Sequence, residues 1–120
     1  MTGPVHVVDD DDAVRDSLRF VLELEGLAVR TYADAHALLA ADLPPAGCVV
    51  TDFHMPGETD GAEVAAHLRI LHPALPVIIA SGRPDVLARS WDPELGYRFL
   101  GKPYLPRHLL AMLRDVLPAA

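Results

Sequence analysis

A short apolar run, Val5 to Val8, ends abruptly in four consecutive acids, Asp9, Asp10, Asp11 and Asp12. An apolar stretch of this length bounded by carboxylates reads as a buried strand whose C-terminal end opens into a polar crevice, where open α/β sheets hold their ligands. Four adjacent carboxylates repel one another, and an ionised carboxylate is not left dry without a partner, so part of this charge faces a cation or water. Asp11 and Asp12 also have a structural use, because either can cap the following helix and complement its dipole. Asp9 and Asp10, at the strand end itself, are the candidates for a site.

The strand-then-helix rhythm continues along the chain. Val14, Leu18, Val21 and Leu22 recur at helical spacing and predict a helix over 13–25, stopped by Gly26. A short strand over 27–32 and an alanine-rich helix over 34–41 follow, closed by Leu43, Pro44 and Pro45. Cys48, Val49, Val50 and Thr51 form a second apolar run that ends in an acid, Asp52, and Met55-Pro56-Gly57 then enforces a loop. Asp60 is placed to cap a helix over 61–72 with a buried stripe of Val64, Leu68 and Leu71. Residues 77–80 are the most apolar strand, ending at Ser81-Gly82. Between Arg83 and Gly96 only a short helical stretch, 85–90, is predicted, bracketed by Pro84 and Pro93. A last strand over 97–100 leads through Gly101-Lys102-Pro103 to an amphipathic helix carrying Leu105, Leu109, Met112, Leu113 and Val116.

Five strands alternating with about five helices predict an α/β fold, a parallel sheet covered on both faces by right-handed crossovers. The 120 residues suit one domain spanning 1–120, with no linker, repeat or appended output domain expected. No run approaches the roughly 20 apolar residues of a membrane span, and the first residues lack a signal-peptide pattern, so a soluble cytoplasmic protein is expected. A net charge of −7 without clustered Lys and Arg argues against direct nucleic-acid binding. Cys48 reads as a small buried core residue, and the six histidines as surface or capping groups.

In a parallel sheet all strand C-termini share one edge, so Asp9, Asp10, Asp52, Ser81 and Lys102 can converge there. Three carboxylates and water suit a hard divalent ion such as Mg²⁺, and a phosphoryl group would complete its oxygen shell. The Ser81 hydroxyl and Lys102 ammonium are suited to holding the remaining phosphoryl oxygens. Asp52, held beside a metal and an ammonium, is the natural nucleophile toward phosphorus.

With these segments in place, namely Val7-Val8-Asp9-Asp10, Thr51-Asp52-Phe53-His54-Met55-Pro56-Gly57, Asp60-Gly61, Ala80-Ser81-Gly82 and Gly101-Lys102-Pro103, the chain resembles the response-regulator receiver domain of two-component signalling over essentially its full length. The resemblance implies a flavodoxin-like doubly wound sheet of order 2-1-3-4-5. It implies a Mg²⁺ site formed by Asp9, Asp10, Asp52 and the backbone carbonyl of His54. It also implies phosphorylation of Asp52, Lys102 as the phosphate-binding lysine, Ser81 and Phe99 as the switch pair, and a cis peptide at Lys102-Pro103. The implied partners are a sensor histidine kinase or a histidine phosphotransfer protein and a downstream protein target, and a homodimer is compatible with it. The expected function is a phosphorylation-dependent switch or phosphorelay intermediate, not a turnover enzyme.

The chain departs from the family pattern in places. Receivers more often carry tyrosine where Phe99 stands, and Phe99 also fits an ordinary core aromatic on the last strand. The 83–96 segment lacks the usual long fourth helix, and Trp91 within it reads as a core plug. His54 and Arg83 flank the path of an attacking water and are expected to tune phosphoryl lifetime. Two other functions compete. Asp10-Asp11-Asp12-Ala13-Val14 fits the D-x-D-x-[TV] motif of haloacid-dehalogenase-like phosphatases, although no acidic pair follows Lys102 to hold that family's metal. The other is a receiver-like binding module that is never phosphorylated.

Overall fold

The computed structural model describes residues 3–43, 46–54, 61–82 and 97–117. Among the described residues the elements follow in the order β1 (Val5–Val8), α1 (Asp12–Leu24), β2 (Val29–Tyr32), α2 (Ala35–Ala40), β3 (Cys48–Asp52), α3 (Gly61–Leu71), β4 (Val77–Ser81), β5 (Tyr97–Gly101) and α4 (Pro106–Val116). The five strands form one sheet of order β2-β1-β3-β4-β5, parallel throughout, which is the flavodoxin-like arrangement. The expected short helix at 85–90, Trp91 and Arg83 lie outside the described residues.

Strand side chains alternate between faces, so near-continuous apolar runs fill two cores at once. On one face Val5, Val7, Val50 and Ile78 pack against Leu18 and Leu22 of α1 and Leu109 and Leu113 of α4. On the other, Val8, Val49, Val77 and Ile79 meet Leu38 of α2 with Val64 and Leu68 of α3. Cys48 is fully buried, and burial pushes its thiol up to about 12, so it is an inert core residue at neutral pH.

Local chemistry sets the helix ends. The Asp11 carboxylate accepts the N–H groups of Ala13 (2.9 Å) and Val14 (3.3 Å) and so caps α1. At the far end Gly26 adopts φ 83°, letting its own N–H reach Glu23 O and the Leu27 N–H reach Leu22 O, which satisfies carbonyls the helix leaves open. Asp34 caps α2 in the same way, accepting from Ala37 N–H at 2.8 Å.

Three sequence expectations are corrected. Leu71 is exposed, and Ala65 joins Val64 and Leu68 in the buried stripe; Leu71 is the last residue of α3, and Leu75 in the turn that follows is buried in its stead. Leu105 is likewise exposed, since it precedes the first turn of α4, while Leu110 faces the core. His6 is fully buried in β1 instead of lying at the surface: β1 is an interior strand covered on both faces, so either side it takes is buried, its Nδ1 sits 3.0 Å from the Tyr32 hydroxyl, and its Nε2 has no hydrogen-bond partner among the described residues.

Candidate functional site

Parallel pairing brings the polar strand ends to one edge. β1 ends at Val8 beside Thr51, β3 ends in Asp52 opposite Ala80, and Ser81 pairs with Gly101. The main chain ties these ends together: Phe53 N–H donates to Ala80 O and Lys102 N–H to Ser81 O, each at 2.9 Å. The Lys102-Pro103 peptide is cis.

Asp9 and Asp52 are buried and Asp10 is exposed, and one carboxylate oxygen of each lies within 4.8 Å of the others. Lys102 Nζ forms an ion pair with Asp52 Oδ1. Burial, and then a hydrogen bond to Asp52, hold the Asp9 carboxyl above its ordinary value, while the Asp11 N–H, 2.9 Å from its Oδ1, and Lys102 act in the opposite sense. Three carboxylates around one ammonium leave an excess of negative charge in a partly desolvated pocket. All the donors are oxygens, which is what a hard cation such as Mg²⁺ requires.

The structure thus gathers Asp9, Asp10, Asp52 and Lys102. Ser81 is buried at the adjacent strand end, and Phe99 is half-buried on β5, opposite Ile79 and packed on the α2–α3 side of the sheet. The His54 side chain is exposed, its ring edge-on to Phe53 at 4.9 Å, so it does not join the acid cluster.

Gly61, the first residue of α3, packs directly against the end of β3. Its N–H donates to Phe53 O at 2.7 Å, and a Cβ there would stand 2.8 Å from Asp52 O and from Phe53 Cα. Only glycine permits that approach.

Two neighbours escaped the sequence reading. Tyr104 lines a cavity of about 560 Å³ with Val14, Leu18, Lys102 and Pro103, and burial, followed by the charges of Asp52 and Asp9, pushes its phenol up to about 12. Arg15, on the first turns of α1, donates from its guanidinium to Asp9 O and pairs with Asp12. An arginine six residues after an aspartate carries no signal in a sequence. Both contacts arise from how the chain turns.

A doubly wound parallel sheet with an acid cluster and a lysine at its carboxyl edge defines the class of α/β switch domains built around an acidic pocket. Within that class, the chain belongs to the response regulator receiver domain family, whose model matches residues 5–114. Domains of this family are signalling switches, not turnover enzymes, and bind Mg²⁺ at an acidic pocket. The transcriptional regulatory protein FixJ of Azorhizobium caulinodans is 43% identical over 113 residues, covering 92% of this chain and 53% of the relative. FixJ of Bradyrhizobium diazoefficiens is 39% identical over 121 residues, 98% of this chain and 58% of the relative. Among solved structures, chemotaxis protein CheY4 of Vibrio cholerae superposes with a TM-score of 0.78 at 26% identity, covering 98% of this chain and all of the other. The chain spans a little over half the length of the two FixJ relatives. Among the described residues no helix is long and apolar enough to cross a membrane.

Proposed function

We propose that this domain accepts a phosphoryl group on Asp52 from a phosphohistidine of a sensor kinase or phosphotransfer protein and relays the change to a downstream protein. An Asp52 carboxylate oxygen attacks phosphorus, the P–N bond to the histidine breaks with its electron pair passing to nitrogen, the imidazole, protonated on its other ring nitrogen, leaves as a neutral ring, and an aspartyl phosphate remains. Lys102, already paired with Asp52, holds the phosphoryl oxygens and steadies the charge that spreads over them during transfer. Asp9, Asp10, Asp52 and the backbone carbonyl of His54 would hold Mg²⁺, which supplies the positive charge that three neighbouring carboxylates and a phosphoryl group otherwise lack. Ser81 and Phe99 respond to the new group, the hydroxyl by bonding a phosphoryl oxygen and the ring by repacking beside it. The reading rests on one observation, the clustering of Asp9, Asp10 and Asp52 with Lys102 bound to the last of them.

The FixJ relatives are named transcriptional regulators, so the downstream effect is proposed to reach gene expression. With net charge −7, residues 1–120 do so through protein contacts and not by touching nucleic acid. Incubation of wild type and Asp52→Asn with acetyl phosphate and Mg²⁺, followed by intact-mass spectrometry, tests the assignment. A single phosphoryl adduct on wild type, absent from the variant and absent with EDTA, is expected. An adduct that persists in Asp52→Asn removes Asp52 as the acceptor.

A further inference from the structure

We propose that Arg15 is a positioning residue for the metal site: it fixes the turn carrying Asp9 and Asp10 so that both carboxylates address one point. The proposal rests on the Mg²⁺ reading above and extends it to a residue outside the acid cluster.

The Arg15 side chain is 14% exposed although Asp12, its ionic partner, is 85% exposed. An arginine held inward against an almost fully solvated acid is anchored by something else, and the other anchor is the main-chain carbonyl of Asp9, which one guanidinium nitrogen reaches while the second meets Asp12. The fork spans the turn from the last residue of the strand end to the first residue of α1.

The remaining bonds tie the same few residues. The Asp9 carboxylate accepts the Asp11 N–H, the Asp11 carboxylate accepts the N–H groups of Ala13 and Val14, and the Arg15 N–H donates to Asp11 O at 3.1 Å. Asp10 takes no part in these bonds, and its orientation follows from a peptide that Arg15 and Asp11 fix on either side. Because the guanidinium binds the carbonyl of Asp9 and not its carboxylate, it orients the ligand without neutralising it. A planar group with several fixed donors can make both contacts at once, whereas a lysine ammonium at the same site serves one.

Arg15 is also a positive charge near a cation site, so the two effects of its removal have opposite signs. Loss of charge alone strengthens Mg²⁺ binding. Loss of orientation weakens it, and removal of partners that orient metal ligands commonly lowers affinity about 10- to 100-fold.

The test is titration of the full chain with MgCl₂, followed by isothermal calorimetry and by amide chemical shifts of residues 9–13, for wild type, Arg15→Gln, Arg15→Lys and Asp12→Asn. Thermal unfolding in EDTA is run in parallel. Arg15→Gln is expected to raise the Mg²⁺ Kd about tenfold or more. Arg15→Lys, which keeps the charge and loses the fork, is expected to fail to rescue it. Asp12→Asn, which leaves Arg15 its carbonyl contact, is expected to fall between and serves if Arg15→Gln does not fold. A Kd in Arg15→Gln equal to or tighter than wild type, or full rescue by lysine, overturns the positioning role. Absence of Mg²⁺ binding by wild type overturns the metal reading itself.

Discussion

Acid should unfold this domain in part through His6. The ring is fully buried on β1, and burial first, then the positive charges of Arg30 and His72, lower its pKa from 6.5 to about 4. In the unfolded chain the imidazole takes a proton below pH 6.5; in the folded chain it resists until about pH 4. The stability this histidine contributes is therefore complete above pH 6.5, declines as pH falls toward 4, and is constant below that. At about 1.4 kcal/mol per pH unit, the interval sets the loss at no more than about 3 kcal/mol, a large fraction of the roughly 5–15 kcal/mol that holds a domain together.

The comparison that isolates this contribution is urea unfolding of wild type and His6→Leu across pH 4 to 7.5. Leucine keeps the volume apolar and cannot titrate, and the half-buried Tyr32 hydroxyl can turn to water. Other acids affect both proteins alike, so the quantity of interest is the difference between the two curves. Wild type should lose about 2–3 kcal/mol more than the variant between pH 6.5 and 4. Parallel curves through that window would refute the account and mean that the ring is protonated in place or that the strand admits water.

Asp9→Asn should raise the melting temperature in EDTA at pH 7.5 while abolishing Mg²⁺-dependent phosphorylation. The Asp9 carboxyl is held above its ordinary value, so the stability present below that value is lost as pH rises through the folded pKa, and a neutral amide avoids the loss. Calorimetric unfolding paired with acetyl-phosphate labelling checks both halves. Gly61→Ala should cost about 1–3 kcal/mol, because the new methyl meets backbone atoms at 2.8 Å that cannot step aside. It should also lower the rate of acetyl-phosphate labelling, read by mass spectrometry over time. Leu113→Ala removes a fully buried side chain between α4 and the sheet and should destabilise by about 2–5 kcal/mol in denaturant melts, leaving the Mg²⁺ Kd of the folded protein unchanged.

The strands were legible because each is a compact apolar run closed by a polar residue, and parallel pairing then leaves no choice about where Asp9, Asp52, Ser81 and Lys102 must meet. Helix ends were readable to within a residue wherever one side chain decides them, as at Asp11, Asp34 and Gly26. Helical periodicity alone failed at Leu71 and Leu105, which stand at helix ends, where the course of the neighbouring turn decides what is covered. His6 was misjudged because residue type was weighed above the position of β1, an interior strand covered on both faces that leaves no exposed place for any of its side chains. Tyr104 and Arg15 depend on the three-dimensional course of turns, and no spacing rule encodes that course.

The hydrogen bond from Gly61 to Phe53 has a mechanical corollary. It fastens the first residue of α3 to the residue that follows β3, so helix and strand are coupled at the edge where Asp9, Asp10 and Asp52 gather. A displacement of α3 therefore pulls on the main chain next to Asp52, and a shift of that strand end is felt in the helix.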